Sequence, residues 1–178
     1  MNHLRTIRNL DTVFAYLSFN RLGVAQKLLH EIKYKDQEAL AGTVGEWFGH
    51  HIKEKVESCK IDSIVPIPLH RNKLKRRGYN QSELIAEGMS SALDIPCETG
   101  LLERAKFTAT QTKKGKAERW VNVKDIFVIN RKVELENKHL LLVDDVITTG
   151  ATIESAANTL NTAGTSKVSI GCIATGRK

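Results

Sequence analysis

The sequence predicts an α/β domain with a mainly parallel central sheet flanked by helices. Three observations predict it. Residues 140–143 form a continuous apolar run, Leu140-Leu141-Leu142-Val143, which suits a strand buried on both faces of a parallel sheet. Beyond it Ile153, Ala156, Ala157, Leu160 and Ala163 recur at i, i+3, i+4, i+7 and i+10, the apolar stripe of a helix. Further strand-like runs at 61–69 and 167–174 are separated from it by helical patterns, the alternation that builds an α/β sheet.

The elements follow in order. Val13 to Leu17 reads as a short edge strand. A helix is predicted over 21–32, with Leu22, Ala25, Leu28, Leu29 and Ile32 on one face, and 33–36 as its end and a turn. A second helix is predicted over 37–56, with Leu40, Val44, Trp47, Phe48, Ile52 and Val56 as its core stripe. His50 and His51 are adjacent, so they cannot face one metal from a helix, and they read as surface residues. Residues 61–69 are β-rich, but Pro66 and Pro68 stop a strand near Pro66. A loop over 70–78 should follow. Asn80 and Glu83 then have N-cap and N3 spacing for a helix over 81–93. Residues 93–106 read as a connector with a strand near Leu101. Residues 107–120 combine small, polar and basic residues around Gly115, the composition of a lid or of an ordinary surface loop. A short helix over 117–123, a strand over 126–129 and a charged turn over 130–138 lead into the apolar run at 140. Cys172, among Ser169, Gly171 and Ala174 in the last strand, reads as a core residue.

Chemistry concentrates at 140–152, LLLVDDVITTGAT. The order is strand, acidic pair, hydroxyl-rich turn, helix. A helix N-terminus offers unpaired N–H groups and a partial positive charge, so a phosphate is stabilised there. Thr148, Thr149 and Thr152 add hydroxyl donors, and Gly150 lets the backbone come close. Asp144 and Asp145 cannot serve that phosphate, because like charges repel. Carboxylates beside a phosphate site accept hydrogen bonds from ribose hydroxyls, as in dinucleotide folds. The stretch reads as a ribose-5-phosphate cradle; the plainer alternative is a buried strand, a solvated acid pair and a capped helix. Neither G-x-x-x-x-G-K-[ST] nor G-x-G-x-x-G occurs.

The chain has 178 residues, 41% hydrophobic and 26% charged, which fits one domain spanning 1–178 with a real core. No run approaches the ~18 apolar residues of a membrane span, and the first residues lack the apolar core of a secretory signal. Cys59, Cys97 and Cys172 are widely spaced, which argues against a disulfide framework and against zinc. A reducing cytoplasm is expected. The net charge is +7. Arg71, Lys73, Lys75, Arg76 and Arg77 form one basic cluster. Arg104, Lys106, Lys113, Lys114, Lys116, Arg119 and Lys124 form a looser one. That balance suits an anionic partner, a polyphosphate ligand or nucleic acid, with solubility as the alternative.

Two segments carry a family resemblance. The 140–152 stretch resembles the phosphoribosyl pyrophosphate (PRPP) signature of type I phosphoribosyltransferases. Pro68, Leu69, His70, Leu74, Arg77, Gly78, Tyr79, Asn80 and Gln81 match the P-L-H-x-x-x-L-x-x-R-G-(F/Y)-N-Q pattern of the ComF family, the competence-associated, amidophosphoribosyltransferase-like proteins. The resemblance implies a type I phosphoribosyltransferase fold. It implies that Asp144 and Asp145 hold the ribose hydroxyls, and that Thr148, Thr149, Gly150, Ala151 and Thr152 hold the 5-phosphate. Leu69, His70 and Arg71 would be the pyrophosphate loop, with Arg77 a further anion contact. For Arg77 and Asn80 the alternative is surface charge and helix capping. Thr110, Gln111 and Arg119 would belong to a flexible loop closing over PRPP. Many ComF proteins begin with a four-cysteine zinc module, and this chain lacks the cysteines for one.

Two functional expectations follow. In the first, a ComF-type protein binds PRPP with Mg²⁺ and serves natural competence and DNA uptake, with single-stranded DNA and helicase-type competence proteins as candidate partners. As a transferase it would use the acid pair as charge develops at C1 and the pyrophosphate loop for the leaving group, with an unidentified acceptor. In the second, it is a non-catalytic PRPP or nucleotide sensor, or a single-stranded DNA-binding protein. Aromatic content of 6% then favours backbone electrostatics over base stacking.

Overall fold

A computed structural model describes residues 2–19, 23–33, 37–104, 126–130 and 134–176. In chain order the elements are a 3-10 turn at Asn2–Thr6, β1 (Leu10–Phe19), α1 (Val24–Lys33), α2 (Glu38–Cys59), β2 (Ser63–Pro66), α3 (Arg71–Arg77), α4 (Gln81–Leu93), β3 (Leu102–Arg104), β4 (Phe127–Ile129), β5 (His139–Ile147), α5 (Ala151–Thr162) and β6 (Lys167–Gly176). The main sheet has the order β1-β6-β5-β2, and all three pairings are parallel. β3 and β4 pair antiparallel, with Arg104 opposite Phe127. The expected loop residues Thr110, Gln111 and Arg119, and the expected helix over 117–123, lie outside the described residues.

The run at 140–143 is apolar throughout because each face of the sheet is covered. Successive side chains of a strand point to opposite faces. Leu141 and Val143 pack with Ala41, Val44, Phe48, Ile85 and Met89 of α2 and α4. Leu140 and Leu142 pack with Ile153, Ala156, Ala157 and Leu160 of α5. β5 also runs further than expected, through the acid pair to Ile147. Ala163, placed on the α5 stripe by periodicity, caps the helix instead and is exposed. The edge strand expected at 13–17 is the centre of the ten-residue β1. Among the described residues no helix is long and apolar enough to cross a membrane.

α2 and α4 meet backbone to backbone. A Cβ on Gly45 would lie 2.2 Å from the Ile85 carbonyl oxygen, and one on Gly88 would lie 2.1 Å from the Gly42 carbonyl oxygen. This contact explains a departure from the sequence reading. Trp47, expected in the core, is 57% exposed. At 100° per residue it falls on the flank of α2 opposite Gly45 and Gly49, and those glycines form the packed face. Gly45→Ala should lower stability by roughly 1–3 kcal/mol through overpacking, read by chemical denaturation. Unchanged stability would mean that the helices separate at no cost.

Residues 70–78, expected as a loop, contain helix α3 instead. His70 caps it, its Nδ1 accepting from the Asn72 N–H at 3.3 Å. Gly78 ends it at φ 89°, where glycine is favoured. Lys75, Arg76 and Arg77 occupy the last turn, where the helix dipole favours cations. Leu74 is the one apolar residue of Arg71–Arg77, so no hydrophobic period announces the helix. α4 matches the expected 81–93. Its cap is Asn80, whose Oδ1 accepts from the Ser82 N–H at 3.2 Å.

Candidate functional site

The site lies where the parallel strands β2 and β5 end, the position at which open α/β sheets bind ligands. A cleft of about 320 Å³ is lined by Lys33, Ile67, Pro68, Leu69, Lys73, Arg76, Arg77, Asn80, Gln81, Ser82, Arg104, Asp144, Asp145 and Thr152. Five cationic side chains thus face two carboxylates. The excess positive charge suits a polyanion.

The two acids differ in their partners. Asp144 is half-buried. Its Oδ1 accepts from the Ser82 hydroxyl at 2.8 Å and from the Asp145 N–H at 2.9 Å. Asp145 is buried. Its Oδ1 accepts from the Val146 N–H at 2.9 Å, and its Oδ2 is paired with the Lys33 ammonium.

Burial pushes Asp144 up to about 7, the neighbouring Asp145 charge adds to the rise, and the Ser82 hydroxyl offsets part of it. A carboxyl raised in the folded state contributes stability below its unfolded pKa, and that contribution is lost as pH rises through the folded value. The window therefore runs from the ordinary carboxylate range, near 3.8, to about 7. Asp144→Asn should flatten this part of the stability profile. Denaturation at pH 5 and pH 7.5 reads it; equal slopes in the two proteins would mean that Asp144 does not carry the extra proton.

Asn80 ties the strand end to α4. Its Nδ2 donates to the Ile67 carbonyl at 3.0 Å while its Oδ1 caps the helix. Arg104, from β3, donates from Nε to the Pro68 carbonyl at 2.9 Å and lies 4.9 Å over the Phe127 ring. Burial lowers its pKa, and the Asp144 charge raises it back in part. Arg77 donates to Gln81 Oε1.

Of the residues singled out from sequence, Asp144, Asp145, Thr152, Leu69 and Arg77 meet in the cleft. Thr148 and Thr149 are exposed. Gly150 sits at φ 91° and begins α5, and the Ala151 N–H approaches Thr149 Oγ1 at 3.4 Å. His70 and Arg71 lie at the start of α3, outside the cleft lining. Lys73, Arg76 and Arg104, members of the two basic clusters, line it too. Lys33 and Ser82 also belong to the cleft; they come from α1 and α4, and no local motif marks them.

Comparison with known proteins bears on the family and the fold. The phosphoribosyl transferase domain family matches residues 79–178, more than half of the chain. The chain is 35% identical over 147 residues to Competence protein F of Haemophilus influenzae, covering 80% of this chain and 64% of that protein. It is 28% identical over 149 residues to the DNA utilization protein YhgH of Escherichia coli K12, covering 82% and 65%. The chain therefore spans just under two thirds of the length of these relatives. Its fold is similar to that of glutamine PRPP amidotransferase from B. subtilis, with a TM-score of 0.51 and 23% identity over 74% of this chain and 26% of that one. The chain belongs to the phosphoribosyl transferase domain family, as a ComF-type protein of the type I phosphoribosyltransferase fold.

Proposed function

We propose that the chain binds PRPP with Mg²⁺ and acts in DNA uptake during natural competence. One observation carries the reading: an acid pair at the end of a central strand shares a strongly cationic cleft with Thr152, in the first turn of α5. Asp144 and Asp145 accept hydrogen bonds from the ribose hydroxyls. Residues 148–152 and the N-terminus of α5 receive the 5-phosphate. Backbone at Leu69, His70 and Arg71, together with Arg77, receives the diphosphate, which guanidinium and N–H donors suit. Mg²⁺ is commonly held largely through substrate phosphates, and the diphosphate of PRPP supplies them. Bound with the ligand, Mg²⁺ would supply charge shielding of the diphosphate. No zinc belongs to the reading.

In ribosyl transfer the ionised acids hold the sugar as positive charge develops at C1, and the basic side chains stabilise the departing diphosphate. Isothermal titration with PRPP and Mg²⁺, followed by a pyrophosphate-release screen against bases and amines, tests this. Binding with release identifies a transferase and its acceptor class. Binding without release for any acceptor favours a sensor. No binding sinks the reading.

A second reading has its own support. α3 presents Arg71, Lys73, Lys75 and Arg76 on an exposed helix, a surface suited to a single-stranded DNA backbone. The two relatives' names concern competence and DNA utilization. Single-stranded DNA and helicase-type competence proteins are therefore the proposed partners. A cytoplasmic setting is proposed with them, supported by three free cysteines, Cys59, Cys97 and Cys172.

A further inference from the structure

Lys33 lies in α1, remote in sequence from the two motif-bearing stretches and from the basic residues at 104–124. It is the last residue of α1, where the helix dipole favours a cation. The Tyr79 hydroxyl donates to the neighbouring Ile32 carbonyl at 2.5 Å, and Tyr79 is itself buried. The end of α1 is thereby tied to the segment that leads into α4. The Lys33 side chain is 24% exposed, while that of its partner Asp145 is 6% exposed. An ammonium has three N–H donors. One side of this ammonium meets Asp145, and the residue also lines the cleft.

We propose that Lys33 is a ligand-contacting residue of the cleft, neutralising Asp145 in the free protein and donating its other N–H groups to anionic oxygens of the phosphoribosyl ligand. The inference rests on the PRPP reading above. Two adjacent carboxylates facing a polyanion repel it and each other. Among the described residues Asp145 pairs with a cation, Lys33, whereas the contacts of Asp144 are a hydroxyl and an amide N–H. The groups facing the pair are Lys33 from α1, Lys73, Arg76 and Arg77 from α3, and Arg104 from β3. Cys172 from β6 is the register partner of Asp144. α4 contributes only the neutral Gln81 and Ser82. Without Lys33, no cation among the described residues is in salt-bridge contact with the pair. The pair should then hold a proton more tightly, and a ligand that needs both acids ionised must displace that proton.

The test is titration of PRPP with Mg²⁺ into the wild type, Lys33→Met and Lys33→Arg from pH 6 to pH 8.5. Lys33→Met should weaken binding about tenfold or more near neutrality, the worth of one charge-assisted hydrogen bond. Its affinity should also fall more steeply than that of the wild type as pH drops. Lys33→Arg, which keeps the cation, should recover most of the loss. A lysine that only packs would not change the pH profile, and one that only neutralises Asp145 would change it while leaving affinity near the wild-type value at pH 8.5, where both acids are ionised; a ligand contact keeps the loss there. Should Lys33→Met be too unstable to titrate, Lys33→Gln carries the same decision. Wild-type binding with an unchanged affinity and pH profile in the neutral variant overturns the role of Lys33 and leaves the PRPP reading standing. Absence of wild-type binding removes both.

Discussion

The double variant Asp144→Asn, Asp145→Asn should bind PRPP at least tenfold more weakly than the wild type while keeping its fold. A hydrogen bond to a charged group contributes about 1.5–3 kcal/mol, so the loss of one ionised acceptor alone accounts for tenfold. Losing both approaches a hundredfold or more if the two contributions add. The fold should survive because asparagine retains a carbonyl acceptor at each position. Residue 144 can still accept from Ser82 and from the N–H of residue 145, and residue 145 from Val146. Lys33 would lose its carboxylate partner, but its side chain is partly exposed and can turn to water. Inorganic pyrophosphate, which has no ribose, separates the roles. Its affinity should be equal to or above that of the wild type, because two negative charges have left the cleft. Unchanged PRPP affinity would sink the ribose assignment. Parallel loss of PRPP and pyrophosphate binding would point instead to a collapsed cleft.

Legibility followed the physics of each segment. The central strand was readable because burial on both faces forces an unbroken apolar run at 140–143, and both layers of side chains are present. α4 was readable to the residue, because Asn80 caps it and Asn at that position is a local signal. α3 was not readable: its residues are strong helix formers, but one leucine among seven gives no period. Trp47 misled because a large apolar residue beside a stripe looks like core, whereas the buried face of α2 is the opposite one, where Gly45 and Gly49 let α4 approach closely. The acid pair stood out as two charges at the end of an apolar strand. The residues that hold the pair did not. Ser82 reads as an ordinary first-turn serine and Lys33 as an ordinary last-turn lysine. Only the parallel crossovers bring both to β5.

Single-stranded DNA should bind without sequence preference, and its affinity should fall steeply with salt. The basis is the exposed, basic α3 beside a cleft that already carries excess positive charge. Each phosphate neutralised on a single strand contributes about −0.7 to the slope of log affinity against log salt. Replacing Lys75, Arg76 and Arg77 by Ala removes up to three such contacts. The slope should then flatten by roughly 2 if all three are made, and affinity should drop for every sequence alike. Alanine is the strongest helix former, so α3 itself should persist, and loss of binding cannot be assigned to its melting. Arg76 and Arg77 also line the cleft, so the strand and PRPP would draw on the same cations. Saturating PRPP should therefore displace the oligonucleotide. Salt-insensitive binding would rule out a phosphate-backbone mode. Binding that persists unchanged under saturating PRPP would separate the two surfaces, leaving the cleft to the phosphoribosyl ligand and the DNA to some other face of the protein.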